Sequence, residues 1–303
     1  MKPETREEYI KLAIHFEKTV HEKLGVERAA PTDYMKELIL RAEHTTPAYW
    51  RRLRNALKVH CAEQGFSKYE KKYAELKNPL TAAGVKTEGM KKRTKLKHVS
   101  ESDFNKLHEK ADPVVKAYLD VVSLTGCRPA EVLNIVLGDG TALIESVKKD
   151  EKNSRGLDRE VRFKNDADFE KLTRALGVIR DESKDKDNDK FLGAIQVRFD
   201  RLTKRVFPKK KGLCLYTLRH QFGSNLKASG LDRKEMAYIM GHRVTKSLNE
   251  YGSKKWGKSS VAVEAAQSYD GIKENHNTIT NENRNEIMKE RSHTKTTSFD
   301  YSR

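Results

Sequence analysis

The stretch LYTLRHQFGSNLKASGLDRKEMAYIMGHRVTKSLNEYG, residues 215–252, decides the fold of this chain. Apolar residues recur at helical spacing on both sides of Gly230. Asp232 and Glu235 form a capping-box pattern, which is typical of the first turn of a helix. These features predict three successive helical segments: 217–229, 232–240 and 245–251.

Four side chains spread over residues 128–251 suit phosphodiester chemistry: Arg128, Arg219, His242 and Tyr251. A transferring phosphoryl group spreads negative charge over its oxygens, and arginine stabilises that charge with paired hydrogen bonds. The reaction also needs an oxygen nucleophile, which a tyrosine can supply. Each residue alone has an ordinary structural explanation, so only their order and spacing together indicate a site. No Asp/Glu cluster resembles a metal site, and we therefore expect neither a metal nor a cofactor.

The sequence resembles the tyrosine recombinases, also called phage integrases, over about residues 113–255. The hallmark elements of that family occur in the expected order. A T-G-x-R-x-x-E stretch occupies 125–131, and an L-R-H stretch ends at His220. A Gly-His pair then follows, with a tyrosine nine residues after the histidine. The resemblance implies a mainly α fold with a small antiparallel β-sheet, in which a helical core-binding domain precedes a mixed α/β catalytic domain.

The resemblance also implies roles for the four side chains. Arg128 and Arg219 match the two arginines that clamp the scissile phosphate. His242 matches the histidine that hydrogen-bonds the phosphate or aids the nucleophile. Tyr251 matches the nucleophile, which forms a 3′-phosphotyrosyl bond with DNA.

Two further catalytic positions follow from the resemblance with less direct matches. The family places a lysine in a β-hairpin as the acid for the 5′-oxygen, and we assign Lys148, with Lys149 as the alternative. The family usually has a histidine three residues before the second arginine, where this chain has Tyr216. A phenol can donate a hydrogen bond to phosphate, but its pKa near 10 makes it a poor base at neutral pH. The identity of the general base therefore stays open.

The chain divides into four predicted regions. The first is a helical DNA core-binding domain of about four helices, the second a basic interdomain linker and the third the catalytic domain. The fourth is a polar tail that is predicted to lack a core of its own and to be disordered. Their predicted bounds are 1–85, 86–98, 99–270 and 271–303. Five basic residues of the linker are predicted to track DNA phosphates: Lys91, Lys92, Arg93, Lys95 and Lys97.

Local patterns predict the elements of the catalytic domain. Pro129 begins a predicted helix over AEVLNIVL. Alternating apolar residues around a turn predict a β-hairpin over 141–164. Helical periodicity predicts two further helices, 168–180 and 190–206.

The composition favours a polyanionic partner. The 303 residues contain 61 Lys and Arg against 44 Asp and Glu, a formal net charge of +17, which suits a DNA backbone. Three widely spaced cysteines indicate neither a disulfide framework nor a zinc site. The N-terminus lacks a signal-peptide core and no apolar run is long enough to span a membrane. We expect a cytoplasmic, nucleoid-associated protein without a membrane partner.

The predicted function is that of a site-specific, integrase-like DNA recombinase of a mobile genetic element. Such an enzyme acts on double-stranded DNA at specific recombination sites, as a homo-oligomer that is a tetramer on DNA, and accessory DNA-bending factors are expected partners. Two alternatives stay open: a sequence-specific DNA-binding regulator without cleavage, and a DNA-relaxing enzyme like the type IB topoisomerases. The sequence leaves the recognition site and cis or trans cleavage undecided.

Overall fold

The computed structural model describes residues 1, 3–85, 96–150, 155–210 and 212–274. It divides into two compact units, Met1–Thr94 and Lys95–Arg303, each with its own hydrophobic core. Four of the five predicted phosphate-tracking residues lie outside the described residues: Lys91, Lys92, Arg93 and Lys95. The fifth, Lys97, is exposed at the start of the second unit. The predicted DNA contacts of this segment therefore stay predictions.

The first unit is a helical bundle. Its core contains Phe16, Leu38, Trp50 and Tyr73. The third helix begins after Thr46, whose hydroxyl oxygen accepts a hydrogen bond from a backbone N–H in the first turn. The five helices of the described residues are α1 (Pro3–Leu24), α2 (Pro31–Leu40), α3 (Pro47–Glu63), α4 (Ser67–Glu75) and the single turn α5 (Pro79–Ala82).

The second unit is also mainly helical, and α7 lies at its centre, packed against α8 and α10. Asp112 caps the start of α7, and the helix ends at Gly126 in the left-handed conformation (φ 63°). The described helices of this unit are α6 (Glu101–Lys110), α7 (Pro113–Thr125), α8 (Asp166–Ser183), α9 (Asn188–Val206), α10 (Leu215–Ala228) and α11 (Arg233–Ile239).

A small antiparallel sheet completes the second unit, in the order β1-β2-β3-β4. Its strands are β1 (Ile135–Leu137), β2 (Thr141–Ile144), β3 (Arg159–Phe163) and β4 (Val263–Ala265). The predicted hairpin is present as β2 and β3, with Ile144 opposite Arg159. The mainly α fold class with a small antiparallel sheet is thereby confirmed.

The predicted helix after Pro129 is wrong in its second half. A 3-10 helix, Pro129–Asn134, is followed by strand β1, in which Ile135 pairs with Ile144 of β2. The apolar run Ile-Val-Leu fits either a helix or a strand locally. Pairing with the edge of β2 decides for the strand, because it satisfies the backbone hydrogen bonds there.

The packed part of the second unit extends into the region predicted as a polar tail. Ile272 is buried in the core, and Lys273 forms a β-bridge with Val244. Residues 275–303 lie outside the described residues. Along the described chain, no helix combines the length and apolarity that crossing a bilayer would require.

Candidate active site

Arg219 is the centre of the candidate site. It is fully buried on α10. Tyr216 and His220 belong to the same helix and, being four residues apart, lie on one face of it. The Arg219 guanidinium donates to the carbonyl oxygens of Gly126 (2.6 Å) and Met240 (2.5 Å). These two bonds tie α10 to the segments that follow α7 and α11, and they fix the orientation of the guanidinium.

Tyr251 lies against this guanidinium. Arg219 Nε donates to the Tyr251 hydroxyl at 3.3 Å, and its Cζ lies 5.0 Å from the centre of the tyrosine ring. Only 8% of Tyr251 is exposed. A Cβ on Gly223 would lie 2.9 Å from the Tyr251 Cβ, so the tyrosine packs directly on a glycine of α10. Lys227 Nζ donates to the carbonyl oxygens of Tyr251 and Gly252, both at 2.7 Å.

The hydroxyls of Tyr216 and Tyr251 are hydrogen-bonded to each other at 2.8 Å. Burial alone raises the pKa of Tyr251, but the charge of Arg219 and the hydrogen bonds from Tyr216 and Arg219 outweigh it, so the pKa is lowered. Burial and the same hydrogen bond raise the pKa of Tyr216. Tyr216 therefore acts as the donor, and Tyr251 is the phenol that gains phenolate character.

His242 also belongs to this cluster. Its Nε2 lies 3.3 Å from a terminal nitrogen of Arg219, and its ring centre lies 5.1 Å from that of Tyr251. Burial, reinforced by the charges of Arg219 and Arg128, lowers the pKa of His242 to about 2. The imidazole is thus neutral at physiological pH, with Nε2 as the acceptor. The structure favours a hydrogen-bonding role for His242 over that of a proton acceptor.

Arg128 lies just after the left-handed Gly126, at the start of the 3-10 helix that precedes β1. Its backbone N–H donates to Glu131 Oε2 at 2.9 Å, and its guanidinium pairs with the other oxygen of the same carboxylate. Its Nε has no hydrogen-bond partner among the described residues. The charge of Arg128 contributes to lowering the pKa of Tyr251, which places the two groups in one electrostatic site.

The structure does not bring the hairpin lysine into this cluster. Lys148 is exposed, four residues beyond β2, and its Nζ has no hydrogen-bond or ion-pair partner in the described part of the chain. Lys149 Nζ forms an ion pair with Asp158 at 2.8 Å. Arg128 lies within 3.5 Å of the Ser146 hydroxyl, so the hairpin connection begins beside the site. Of the two lysines, Lys148 is the one whose ammonium group has no ion-pair partner among the described residues.

Two residues that support the site were not predicted as part of it. Glu131 and Arg159 are both fully buried, and Arg159 donates to Glu131 Oε2 at 2.9 Å. Glu131 therefore bridges Arg128 and Arg159. A signal for Arg159 was present, because it alternates with Val161 and Phe163 on the buried face of β3. A charged residue on the buried face of a strand indicates that a residue of opposite charge is buried beside it.

A third supporting residue, Lys227, also had a signal, because it lies four residues after Gly223 and seven after His220, both on the buried face of α10. Among the described residues, no group of three or more His, Cys, Asp or Glu side chains is arranged to hold a metal ion. The polar centre of the site thus consists of arginines, tyrosines and a neutral histidine.

The depressed pKa of His242 predicts an acid-sensitive fold. Below the ordinary histidine pKa of 6.5, the unfolded chain takes up a proton that the folded chain does not, so stability falls as pH decreases. Between about pH 7 and pH 5 the wild type is expected to lose about 2 kcal/mol more than the neutral variant His242→Gln. Urea unfolding at the two pH values measures this difference. Parallel losses in both proteins would contradict it.

Comparison with solved structures identifies the fold. A lambda integrase dimer bound to a COC′ core site matches with a TM-score of 0.54 and 14% identity, over 86% of this chain and 75% of that one. The lambda integrase fragment of residues 75–356, as a dimer on the same site, gives 0.51 and 14%, over 86% and 93%. A lambda integrase tetramer bound to a Holliday junction gives 0.50 and 14%, over 80% and 72%.

No protein-family model matches the sequence, and no curated protein matches it at a significant level. At 14% identity, the likeness to these structures concerns the fold. It confirms the resemblance to the tyrosine recombinases at that level. The catalytic roles of the individual site residues stay predictions.

Proposed function

We propose that this chain, which has the tyrosine recombinase fold, is a site-specific DNA recombinase that cleaves and rejoins DNA through a 3′-phosphotyrosyl intermediate. The observation that carries the proposal is the position of the Tyr251 hydroxyl. It lies 2.8 Å from the Tyr216 hydroxyl and 3.3 Å from Arg219 Nε, in a buried cationic site. A phenol with a lowered pKa beside fixed guanidinium groups is suited to attack a phosphodiester.

The proposed step begins with loss of the Tyr251 proton to solvent, which the lowered pKa favours. Tyr251 Oη then attacks phosphorus, a P–O bond to tyrosine forms, and the bond from phosphorus to the 5′-oxygen breaks. Arg219 and Arg128 stabilise the negative charge on the non-bridging oxygens. To Lys148, which lies outside the cluster in the DNA-free structure, we assign the donation of a proton to the departing 5′-oxygen once DNA is bound. Rejoining reverses these transfers, and the phosphotyrosyl ester conserves the bond energy between them.

The same proposal includes the roles of the two units, the oligomeric state and the biological role. The first unit would serve as the DNA core-binding domain and the second as the catalytic domain, with the intervening basic segment along the phosphates. Lambda integrase has been solved as a tetramer on a Holliday junction. By analogy we assign this chain a tetramer on double-stranded DNA with specific sites, assisted by accessory DNA-bending factors. An integrase of a mobile element, associated with the nucleoid, is the role we favour.

Covalent capture of DNA tests this function. The protein is incubated with nicked duplexes that tile the genomic DNA flanking its gene, and adducts are separated under denaturing conditions. We expect an adduct at a defined position, with tyrosine joined to a 3′-phosphate. Binding without an adduct would indicate a DNA-binding regulator. Relaxation of any supercoiled plasmid by the monomer would indicate a topoisomerase.

The hydroxyl pair predicts a change in pH dependence when Tyr216 is altered. In Tyr216→Phe, Tyr251 loses a donor that lowers its pKa, so that pKa should rise. We expect adduct formation to slow about tenfold at neutral pH and its rate to recover as pH increases. Single-turnover rates across a pH series measure the shift. A uniformly lower profile with an unchanged midpoint would instead indicate that Tyr216 only packs against the nucleophile.

A further inference from the structure

The first unit has a pocket whose polar lining consists of positively charged side chains and neutral ones. A cavity of about 300 Å³ lies between the start of α3 and the connection from α4 to α5. Its lining includes Arg51, Arg54, Lys77, Asn78 and Thr81, and it contains no carboxylate. A group of side chains with this composition is suited to an anion with several oxygen acceptors.

The cations of the pocket differ in how they are held. Arg54 donates to the Leu76 carbonyl oxygen at 3.0 Å and also to Asn55, so its position is fixed. Arg51 lies three residues earlier on the same face of α3, where two like charges repel each other. Within the described residues, neither Arg51 nor Lys77 has a hydrogen-bond or ion-pair partner in its side chain. A bound anion would relieve the repulsion and use both free groups.

The connection that carries Lys77 is fixed on both sides. Leu76 is held by Arg54, and the Asn78 side-chain oxygen accepts a hydrogen bond from Thr81 N–H at 3.0 Å, which caps α5. Lys77 lies between these two anchored residues. The pocket is therefore formed before any ligand arrives, which reduces the entropy lost on binding.

Asn78 supplies an independent observation. It is only 9% exposed, and its Nδ2 has no hydrogen-bond partner in the described part of the chain. A buried donor without a partner costs about 1–3 kcal/mol, and such groups are normally satisfied by a ligand or water. The donor belongs to a residue that lines the cationic pocket, so an anionic oxygen is the partner that this chemistry selects.

We propose that this pocket is a phosphate-binding site that takes a backbone phosphodiester of DNA, with Arg51 and Lys77 as its ionic contacts and Asn78 as a hydrogen-bond donor. The inference rests on the proposed function for the presence of DNA. Beyond that function, it identifies the surface through which the first unit would contact the DNA backbone. Phosphate contacts of this kind position a protein without reading sequence.

Asn78→Asp tests the site without disturbing the helix cap. The aspartate still accepts the hydrogen bond from Thr81 N–H, but it replaces the Nδ2 donor with a negatively charged oxygen. Arg52→Gln is the matched control, because it lowers the net charge of the same unit by one and its side chain pairs with Glu8 instead of lining the pocket. Both variants are made in the full chain, with thermal unfolding to verify folding.

Binding to a fluorescent DNA duplex of arbitrary sequence is measured over a series of salt concentrations. Asn78→Asp is expected to weaken binding about tenfold, and the double variant Arg51→Gln/Lys77→Gln to reduce the slope of log affinity against log salt by about one. Arg52→Gln should change affinity less than about twofold. Equal effects of the pocket variants and the control would overturn the proposal.

A second arm separates DNA from free phosphate. If inorganic phosphate raises the melting temperature of the wild type but not of the double variant, while the DNA salt slope is unchanged, the site takes a free anion and the proposal fails. Covalent adduct formation is scored separately. A protein that forms adducts but shows no pocket effect would refute only the pocket. A protein with the pocket effect and no adduct would refute only the recombinase function.

Discussion

Tyr251→Phe is expected to abolish covalent capture of DNA, with a loss of at least about a thousandfold in adduct yield, and to leave DNA binding within about twofold of the wild type. The variant removes one oxygen, the proposed nucleophile. Its ring can keep the packing on Gly223 and beneath Arg219. Denaturing gel analysis of a nicked duplex measures the adduct, and fluorescence anisotropy on the same duplex measures binding.

Tyr216→Phe is the matched control, because it removes the other oxygen of the same hydrogen bond. It should still form the adduct, although more slowly. Loss of the adduct in Tyr216→Phe and in the double variant, but not in Tyr251→Phe, would identify Tyr216 as the nucleophile and overturn our assignment. An adduct in all three variants would place the nucleophile elsewhere in the chain.

The sequence predicted the elements that carry the site better than the contacts between them. Gly126 and Gly230 marked helix ends correctly, because only a residue without a side chain readily adopts the left-handed conformation there. The motif spacing also singled out Arg219, His242 and Tyr251, and the structure places a nitrogen of Arg219 3.3 Å from Tyr251 and another 3.3 Å from His242. The helix ends depend on single residues and the motifs on the order of residues along the chain, and a sequence contains both kinds of information.

Other features depend on tertiary burial, which local patterns do not contain. The pKa of His242 falls to about 2 only because the imidazole is enclosed beside two arginines. The donor role of Tyr216 requires its hydroxyl to meet Tyr251 across 35 residues of chain. For His242 and Tyr216 the deciding interactions link segments that are distant in sequence. Strand β1 is a different case, because its partner β2 begins after only three residues, Gly138, Asp139 and Gly140, so the error lay in interpreting a local pattern.

Glu131→Gln is expected to destabilise the fold by about 3–5 kcal/mol, because it leaves the Arg159 guanidinium buried without its counter-ion. Both side chains of this pair are 0% exposed, so water cannot compensate for the loss. The neighbouring charges of Arg159 and Arg128 overcome the effect of burial and lower the pKa of Glu131 to about 2. The carboxylate is therefore charged at every pH at which the protein is expected to function.

The control for this prediction is Glu170→Gln, which breaks an exposed pair with Arg174 whose side chains are 67% and 72% exposed. Glu170→Gln should lower the free energy of unfolding by less than about 0.5 kcal/mol.

The lowered pKa of Glu131 also predicts how the stabilisation by this carboxylate depends on pH. Its contribution is present above about pH 4.5, the ordinary glutamate value, and is lost as pH falls toward 2. Glu131→Gln should lack this part of the acid sensitivity.

A second substitution separates loss of a charge partner from loss of packing. In Glu131→Gln/Arg159→Met the uncompensated charge is removed, so the double variant should be more stable than Glu131→Gln alone, although Met cannot replace the bond from Arg159 Nε to the Ile239 carbonyl. Urea unfolding at neutral pH measures all three proteins. If adding Arg159→Met lowers stability further, the cost of Glu131→Gln comes from the cap at Arg128 N–H and not from the buried charge. Recovery would instead show that Glu131 stabilises the fold by neutralising the buried charge of Arg159.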